Sequence, residues 1–258
     1  MLCVISPAKS LDFTTPAPTT THTQPALLPM SQPLVDILQS YSPADIAALM
    51  KISDKLAALN VARYAQWQTP FRLGDDEHPA KQALFAFTGD VYAGMDPQTF
   101  DDDTLAAAQQ QLRILSGLYG VLRPLDLIMP YRLEMGIRLA NAAGSTLYDY
   151  WCETITDTLS RTLQETDAKV LVNLASNEYF KAVDVKRMTC RIITPVFKDE
   201  KNGQFKIISF HAKKARGAMA AWIVRHGLHD PEQLKAFEGM GYRYSSAHSS
   251  GDTLVFTR

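Results

Sequence analysis

Three arginines lie in the otherwise apolar stretch Gln111–Gly136, together with several glycines and prolines. They are Arg113, Arg123 and Arg132. Because leucine, isoleucine, valine and methionine separate them, their guanidinium groups cannot all reach water easily. A guanidinium held away from water needs an anionic partner, either a carboxylate such as Asp126 or Glu134 or a bound phosphate. The stretch is therefore a candidate anion-binding segment.

Two glycine-containing turns are similar to the hairpin of a helix-hairpin-helix, a motif in which glycines let backbone N–H groups meet a DNA phosphate. Leu115–Gly120 follows a predicted helix and carries one residue more than the motif. Phe237–Gly241 has the right spacing, but the residues after it indicate a strand. Short Gly-x-Gly patterns often arise by chance. The flanking arginines favour the first turn, with Gly117 and Gly120 as its glycines.

A second basic cluster lies between positions 198 and 216, where six lysines and arginines accompany two acids. The six are Lys198, Lys201, Lys206, Lys213, Lys214 and Arg216. Three of them fall where a predicted strand meets a helix, and the free N–H groups of a helix start add to their positive field. An anion-binding site is one interpretation, and a solvated basic helix end is the other.

A third set of polar residues follows or ends two predicted strands. Its members are Lys9, Asp12, Asn173, Ser176, Glu178 and Tyr179. Strand exits often carry functional polar groups in mixed folds. Lys9 and Glu178 could act as an acid–base pair, or the whole set could be a structural network that ties the strand exits together.

No metal and no cofactor is expected. His226 and His229 lie three residues apart with no third ligand nearby in the sequence. The acids Asp101–Asp103 suit the positive end of a helix better than a metal site. The sequence also lacks a Walker loop, a dinucleotide fingerprint and a Gly-x-Ser-x-Gly elbow.

Short strands and amphipathic helices must position these residues. The predicted strands are Cys3–Ser6, Ala83–Phe87, Lys169–Leu174, Arg191–Lys198, Phe205–His211, Gly241–Ser246 and Thr253–Thr257. Predicted helices begin near Ser42, Ser53, Asp101, Thr146 and Lys213. Phe13–Pro33 contains five prolines and is expected to be a long wrapping loop. The elements mix without a strict βαβ rhythm, so we expect one α+β domain over residues 1–258, with a central sheet surrounded by helices.

Length and composition are those of an ordinary globular chain, with 258 residues, 46% hydrophobic and 21% charged. The formal net charge is −1, so any nucleic-acid function needs a local basic patch. Three cysteines without metal-type spacing favour free thiols in a reducing compartment. No leader peptide and no membrane-spanning run is recognisable. We therefore expect a cytoplasmic protein with no membrane association.

Five longer motifs carry a resemblance along nearly the full chain. They are SPAKSLD from Ser6, KISDKLAALNVAR from Lys51, LSGLYGVLRPLDLIMPYRLEMG from Leu115, NLASNEYF from Asn173 and FKIISFHAKKARG from Phe205. In this order they resemble the YaaA family of bacterial peroxide-stress-resistance proteins. The resemblance implies protection against hydrogen peroxide, limitation of free iron and a DNA-repair context. It also implies an unusual mixed fold with a positively charged cleft and a helix-hairpin-helix, which binds duplex DNA without strong sequence preference.

The residues and the resemblance together predict one DNA-binding cleft. We expect it to be lined by Arg123, Arg132, Lys206, Lys213, Lys214 and Arg216, with Gly117 and Gly120 offering backbone donors. Repair factors could be further partners, and the oligomeric state stays open. The resemblance establishes no reaction, so the alternative function is an enzyme acting on a small anionic or nucleotide-like substrate in the same polar cleft.

Overall fold

The computed structural model describes residues 1–258, which form one large mixed sheet, two small two-stranded sheets and the helices around them. The strands are β1 (Leu2–Ile5), β2 (Ser10–Leu11), β3 (Lys81–Gln82), β4 (Phe87–Thr88), β5 (Leu112–Ser116), β6 (Gly120–Leu122), β7 (Leu127–Ile128), β8 (Val170–Leu174), β9 (Arg191–Lys201), β10 (Gln204–Lys206), β11 (Arg243–Tyr244) and β12 (Thr253–Thr257). The helices are α1 (Leu28–Gln39), α2 (Pro43–Met50), α3 (Asp54–Ala65), α4 (Ala83–Ala86), α5 (Asp90–Met95), α6 (Asp102–Gln111), α7 (Leu147–Glu165), α8 (Asn177–Phe180) and α9 (Ser209–Arg225). None of these helices combines the length and apolar character needed to cross a bilayer.

The large sheet has the strand order β11-β12-β9-β8-β1-β5-β6, with β10 paired to β9. The five inner strands from β12 to β5 are parallel, whereas β6, β10 and β11 run antiparallel to their neighbours. All residues of β1 and β8 are buried, as expected for central parallel strands. The α+β prediction with a central sheet and surrounding helices is confirmed.

Most helix starts follow their sequence signals. Ser42, Ser53, Asp101 and Thr146 each precede a helix, and each side chain accepts a hydrogen bond from the backbone N–H three residues later. Such caps satisfy one of the free N–H groups of the first turn. The Asn-Gly hairpin is confirmed as well, because Asn202 and Gly203 take φ values of 55° and 72° between β9 and β10.

The wrapping loop is shorter than predicted. Residues 12–27 are almost entirely irregular, but α1 begins at Leu28 and includes Pro29 and Pro33. Pro29 lies in the first turn, where no N–H partner is needed, and Pro33 gives up one backbone hydrogen bond inside the helix. The prediction from proline density therefore put the end of the loop at Pro33, five residues after the start of α1.

The loop is held by side chains from distant parts of the chain. The buried Lys81 ammonium donates to the carbonyls of Asp12 and Thr15, at 2.9 and 2.7 Å. Gln82 donates to the carbonyls of Thr19 and Thr21 at 2.8 and 3.0 Å. These bonds satisfy backbone groups that a loop would otherwise leave unpaired.

The predicted strand at Ala83–Phe87 is wrong. Residues 83–86 form the single helical turn α4, and only Phe87 continues into a strand, β4. All four residues of α4 are buried. A short apolar run that is buried all round has no periodicity by which helix and strand could be told apart.

The helix-hairpin-helix is not confirmed at either predicted position. Leu115–Gly120 joins the antiparallel strands β5 and β6, so a strand follows where the motif requires a helix. Phe237–Gly241 lies among short 3-10 turns before β11. Two helices joined by a short hairpin occur elsewhere, where Lys51, with φ of 52°, ends α2 and Ser53 caps α3.

Close packing explains the two glycines of the β5–β6 turn. A Cβ on Gly117 would lie 2.2 Å from the carbonyl oxygen of Leu133, and one on Gly120 would lie 2.7 Å from the ring of Trp151. The Trp151 indole donates to the Gly117 carbonyl at 2.8 Å. Both glycines are buried, so they serve the core of the sheet.

Helices α5 and α9 approach each other at two glycines. A Cβ on Gly217 of α9 would lie 1.8 Å from the Val91 carbonyl oxygen, and a Cβ on Gly94 of α5 would lie 2.0 Å from the Lys214 carbonyl oxygen. Contacts this short are impossible for any residue with a Cβ. The reciprocal glycines therefore set how closely α9 lies against α5.

We expect Gly217→Ala to destabilise the protein by about 3 kcal/mol or more, because a methyl group against backbone atoms forces the helices apart. Guanidinium unfolding monitored by circular dichroism measures this change. Gly227→Ala is the matched control, since Gly227 has φ of 55° and open space around its Cβ position. It should cost only about 1 kcal/mol of backbone strain. Equal losses in the two variants would contradict the packing argument.

Candidate anion-binding site

A cavity of about 360 Å³ lies at the carboxyl ends of β1 and β8. The next strand of the sheet after β1 is β5, which lies on one side of the β1–β8 pair. The next strand after β8 is β9, which lies on the opposite side. The two connections leave the pair in opposite directions. In open parallel sheets such a switch point creates a crevice that commonly holds ligands.

The cavity is lined mainly by polar and charged residues from five parts of the chain. They are Ser6, Pro7, Ala8, Lys9, Ser10, Thr88, Gly89, Asp90, Val91, Tyr92, Glu134, Ser176, Glu178, Tyr179, Lys213 and Arg216. Three are cations and three are carboxylates. The cavity is therefore a mixed-charge site and not a uniformly basic groove.

Serines tie the two strand exits together at the base of the cavity. The backbone N–H of Ser176 donates to the Ser6 hydroxyl at 2.9 Å, and the two hydroxyl oxygens lie 3.3 Å apart. The buried Tyr92 hydroxyl, from α5, donates to the Ser6 carbonyl at 3.2 Å. These bonds join β1, β8 and α5 around one edge of the sheet.

Glu134 forms ion pairs with Lys9, which lines the cavity, and with Arg132, which does not. Its Oε1 lies 3.2 Å from the Lys9 ammonium and 3.1 Å from the nearer terminal nitrogen of Arg132. The Glu134 side chain is 10% exposed, and its other carboxylate oxygen is buried without a hydrogen-bond partner. The position of Lys9 and Arg132 depends on this one carboxylate.

Glu178 and Tyr179 follow β8 on the one-turn helix α8. The Gly136 N–H donates to one carboxylate oxygen of Glu178 at 3.0 Å, and no cation lies within ion-pair distance of this residue. Burial raises the pKa of Tyr179 well above its ordinary value, so its phenol is neutral at pH 7. A neutral phenol beside a carboxylate can donate or accept a hydrogen bond.

The remaining cations come from α9. Arg216 is half-buried, and its guanidinium forms no salt bridge and no hydrogen bond within the protein. Burial lowers the pKa of Arg216 from its ordinary value, yet an arginine stays charged at pH 7. Lys213, one turn earlier, is exposed and also lacks a carboxylate partner. Both cations retain their full capacity to bind an anion.

The arginines of the central stretch have partners within the protein. The Arg123 guanidinium pairs with the buried Asp126 at 3.0 Å and donates to the Gln24 carbonyl at 3.0 Å. The buried Arg113 donates to the carbonyls of Gln109 and Leu112 at the end of α6, at 2.9 and 2.7 Å. Helix carbonyls are favourable partners for a cation. Each of these arginines is therefore stabilised in the apolar stretch by ion pairs or hydrogen bonds within the protein.

The other predicted site residues lie apart from the cavity. Asn173 is buried on β8, where its side-chain oxygen accepts the Ala175 N–H at 3.1 Å. Hydrogen bonds from Thr15 and Thr14 hold the pKa of Asp12 below its usual range. Lys206 is exposed at the end of β10, and the backbone carbonyl of Lys214 lies against Gly94 of α5. Gly117 and Gly120 are buried in the β5–β6 turn.

The structure thus combines members of two sets that the sequence presents separately. Lys9, Ser176, Glu178 and Tyr179 come from the polar set, and Lys213 and Arg216 come from the second basic cluster. Sequence reasoning did not name Ser6, Tyr92 or Asp90 as site residues. The signal for Ser6 was its place directly after β1, whereas nothing in the sequence shows that α5 closes the same cavity.

Together, the fold and the site define an α+β protein with a charged cavity at the carboxyl edge of its sheet. The family model described as peroxide stress protein YaaA matches residues 1–248. The chain belongs to this family, which confirms the resemblance seen in its motifs.

Relatives match over the whole chain. UPF0246 proteins of Hahella chejuensis, Colwellia psychrerythraea and Shewanella denitrificans are 54%, 55% and 56% identical over 258 residues. The matches cover 100% of this chain and 98–99% of each relative. Their names give a family and no mechanism.

Removing the Glu134 carboxylate should destabilise the wall of the cavity. We expect Glu134→Gln to cost about 2 kcal/mol, below the usual cost of breaking a fully buried pair because Lys9 is exposed. Thermal or guanidinium unfolding measures the loss. Glu153→Gln, which removes an exposed partner of Arg187 at 3.6 Å, should change stability by less than about 0.5 kcal/mol. If Glu134→Gln unfolds with the same free energy as the original protein, Lys9 and Arg132 do not need this carboxylate.

The cysteines should react slowly with peroxide in the folded protein. Burial raises the pKa of Cys3 to about 12 and also raises the pKa of Cys152 and Cys190 above the ordinary value. Only about one Cys3 thiol in 10⁵ is then a thiolate at pH 7, and the thiolate is the reactive form. Peptide mass mapping after one equivalent of hydrogen peroxide should show Cys3 unmodified in native protein and oxidised after treatment in denaturant. Rapid oxidation of native Cys3 would contradict this expectation.

Proposed function

We propose that the protein serves the peroxide stress response by binding duplex DNA through its backbone phosphates, without strong sequence preference. One observation carries the proposal. None of the six cations between Lys198 and Arg216 forms an ion pair, whereas Arg123 and Arg132 each have a carboxylate partner. Cations without an acid partner are the ones free to neutralise phosphates.

The exposure of this cluster supports contact with an extended polyanion. Lys201 and Lys206 lie at the ends of β9 and β10 and are exposed, as is Lys213 on α9. Two large apolar side chains between them, Ile207 and Phe210, are 58% and 52% exposed. Basic and aromatic side chains together are typical of surfaces that contact nucleic acid. The formal net charge of −1 does not attract DNA, so the local basic cluster must supply the electrostatic attraction.

Arg123 is left out of this proposal. Its guanidinium already binds Asp126 and a backbone carbonyl, so using it on a phosphate would leave a buried carboxylate unpaired. Protection of DNA could then arise by coating it or by recruiting repair factors to it.

Salt dependence tests the phosphate mechanism. Affinity for a fluorescent 20-base-pair duplex should fall steeply with salt, because each neutralised phosphate releases counterions. Lys201→Ala/Lys206→Ala should lower the slope of log affinity against log salt by roughly two and weaken binding of unrelated sequences equally. Fluorescence anisotropy at several salt concentrations provides both quantities.

The matched control is Lys169→Ala/Lys186→Ala, which removes the same charge from exposed positions elsewhere. It should bind DNA like the original protein. A flat salt dependence of the original protein would reject phosphate neutralisation. If both double variants show the same DNA affinity and salt dependence, Lys201 and Lys206 do not belong to the DNA-binding surface. The exposed Lys51 and Lys55, at the connection between α2 and α3, would then be the next candidates.

A further inference from the structure

The cavity at the β1–β8 switch point has features that contact with a DNA surface does not require. It is recessed, with a volume of about 360 Å³, and carboxylates line it together with cations. A surface built only to attract phosphates would gain nothing from Asp90 and Glu178, which repel them. The cavity therefore suits a smaller ligand with two chemically different ends.

One end of that ligand is anionic. Arg216 enters the cavity from α9 without any partner in the protein, and Lys213 stands one turn away at its rim. The planar guanidinium can donate two parallel hydrogen bonds to a phosphate, which makes arginine a frequent residue at phosphate sites. The Gly217–Val91 contact holds the adjacent residue of α9 against α5, so Arg216 is carried by a rigid element.

The other end of the ligand carries hydrogen-bond donors. Glu178 uses one oxygen to accept the Gly136 N–H, which fixes the carboxylate and leaves its second oxygen free. Asp90 at the start of α5 has no cation within ion-pair distance. Carboxylates at the carboxyl edge of a parallel sheet commonly accept hydrogen bonds from ribose hydroxyls. Hydroxyl or amino groups are the donors that this part of the cavity can bind.

Size and lining complete the assignment. A volume of about 360 Å³ falls in the range of small-molecule sites and accommodates a mononucleotide. Tyr92 and Tyr179 supply apolar surface between the charged ends, and Ser6 and Ser176 add short polar contacts. A simple phosphate ion would leave most of this lining unused.

We propose that this cavity binds one nucleotide unit with a terminal phosphate, the phosphate at Arg216 and Lys213 and the sugar or base donors at Glu178 and Asp90. Two sources share this chemistry, a free nucleoside monophosphate and the phosphorylated end of a DNA strand. The inference shares Arg216 and Lys213 with the basic cluster of the proposed function, but it does not depend on DNA binding by Lys201 and Lys206.

Titration calorimetry at low salt with adenosine monophosphate, adenosine and inorganic phosphate tests the assignment. Adenosine monophosphate should bind at one site per chain, and adenosine at least tenfold more weakly. Arg216→Ala should weaken both adenosine monophosphate and inorganic phosphate at least tenfold. Arg161→Ala, on the exposed side of α7, is the matched control and should change neither.

Glu178→Gln separates the two ends of the site. It should weaken adenosine monophosphate severalfold and leave inorganic phosphate unchanged or slightly tighter, because a negative charge near the anion is removed. Thermal unfolding of each variant shows whether it is folded. Should Arg216→Ala be unfolded, Arg216→Lys keeps the charge but loses the two-pronged donor, and it should still weaken adenosine monophosphate severalfold.

A duplex with and without 5′-phosphates distinguishes the two sources. Tighter binding of the phosphorylated duplex that is lost in Arg216→Ala assigns the site to DNA ends, and binding of adenosine monophosphate alone assigns it to a free nucleotide. The inference is overturned if adenosine binds as well as its monophosphate, if the folded Arg216 variant binds like the original protein, or if neither source binds. If Lys201→Ala/Lys206→Ala loses duplex binding but still binds adenosine monophosphate, the result supports the DNA-binding surface and leaves the nucleotide site unaffected.

Discussion

The backbone contact between α5 and α9 is the constraint on which the site depends. Two glycines, Gly94 and Gly217, allow carbonyl groups of the facing helix to approach where any Cβ would collide. Because α9 also packs on β1, β8 and β9, its distance from α5 sets how far its cations stand from the strand exits. The cavity is thus the space that remains when a sheet edge and two tightly joined helices meet. Its polar lining follows from that arrangement, since strand exits and short helices expose backbone groups that hydroxyls and carboxylates must satisfy.

Charge is distributed in two ways in this molecule. The arginines of the apolar central stretch are neutralised where they stand, Arg123 by Asp126 and Arg132 by Glu134, while Arg113 is bound by the carbonyls that end α6. The cations between Lys198 and Arg216 have no such partners. Opposite charges that are already paired contribute to the fold, and unpaired ones are available to a ligand. Type and spacing alone do not distinguish these two groups, because both appear in the sequence as clusters of basic residues.

Local signals predicted much of the fold. The central strands β1 and β8, the Asn202-Gly203 hairpin and the capped helix starts all follow from short-range chemistry. Predictions failed where tertiary burial decided the outcome, as for the buried turn α4 and the glycines of the β5–β6 turn. For the site, the sequence identified Lys9 and Glu178 in one set and Arg216 in another. Their common cavity depends on pairing between strands and helices far apart in the chain, and a single sequence holds no direct record of that pairing. Tyr92 was missed for the same reason.

The position of β1 has a consequence for how the chain reaches this structure. β1 is the first strand in the sequence and lies in the middle of the sheet, but its neighbours are residues 112–114 and 171–174. Each pairing must close a loop of more than a hundred residues before any stabilisation is gained, and folds dominated by such distant contacts form slowly. During synthesis, one edge of Leu2–Ile5 can pair only after β5 has left the ribosome, and the other edge only after β8 has followed. Until then a strand that is fully buried in the finished protein has an unpaired edge, a feature that favours aggregation.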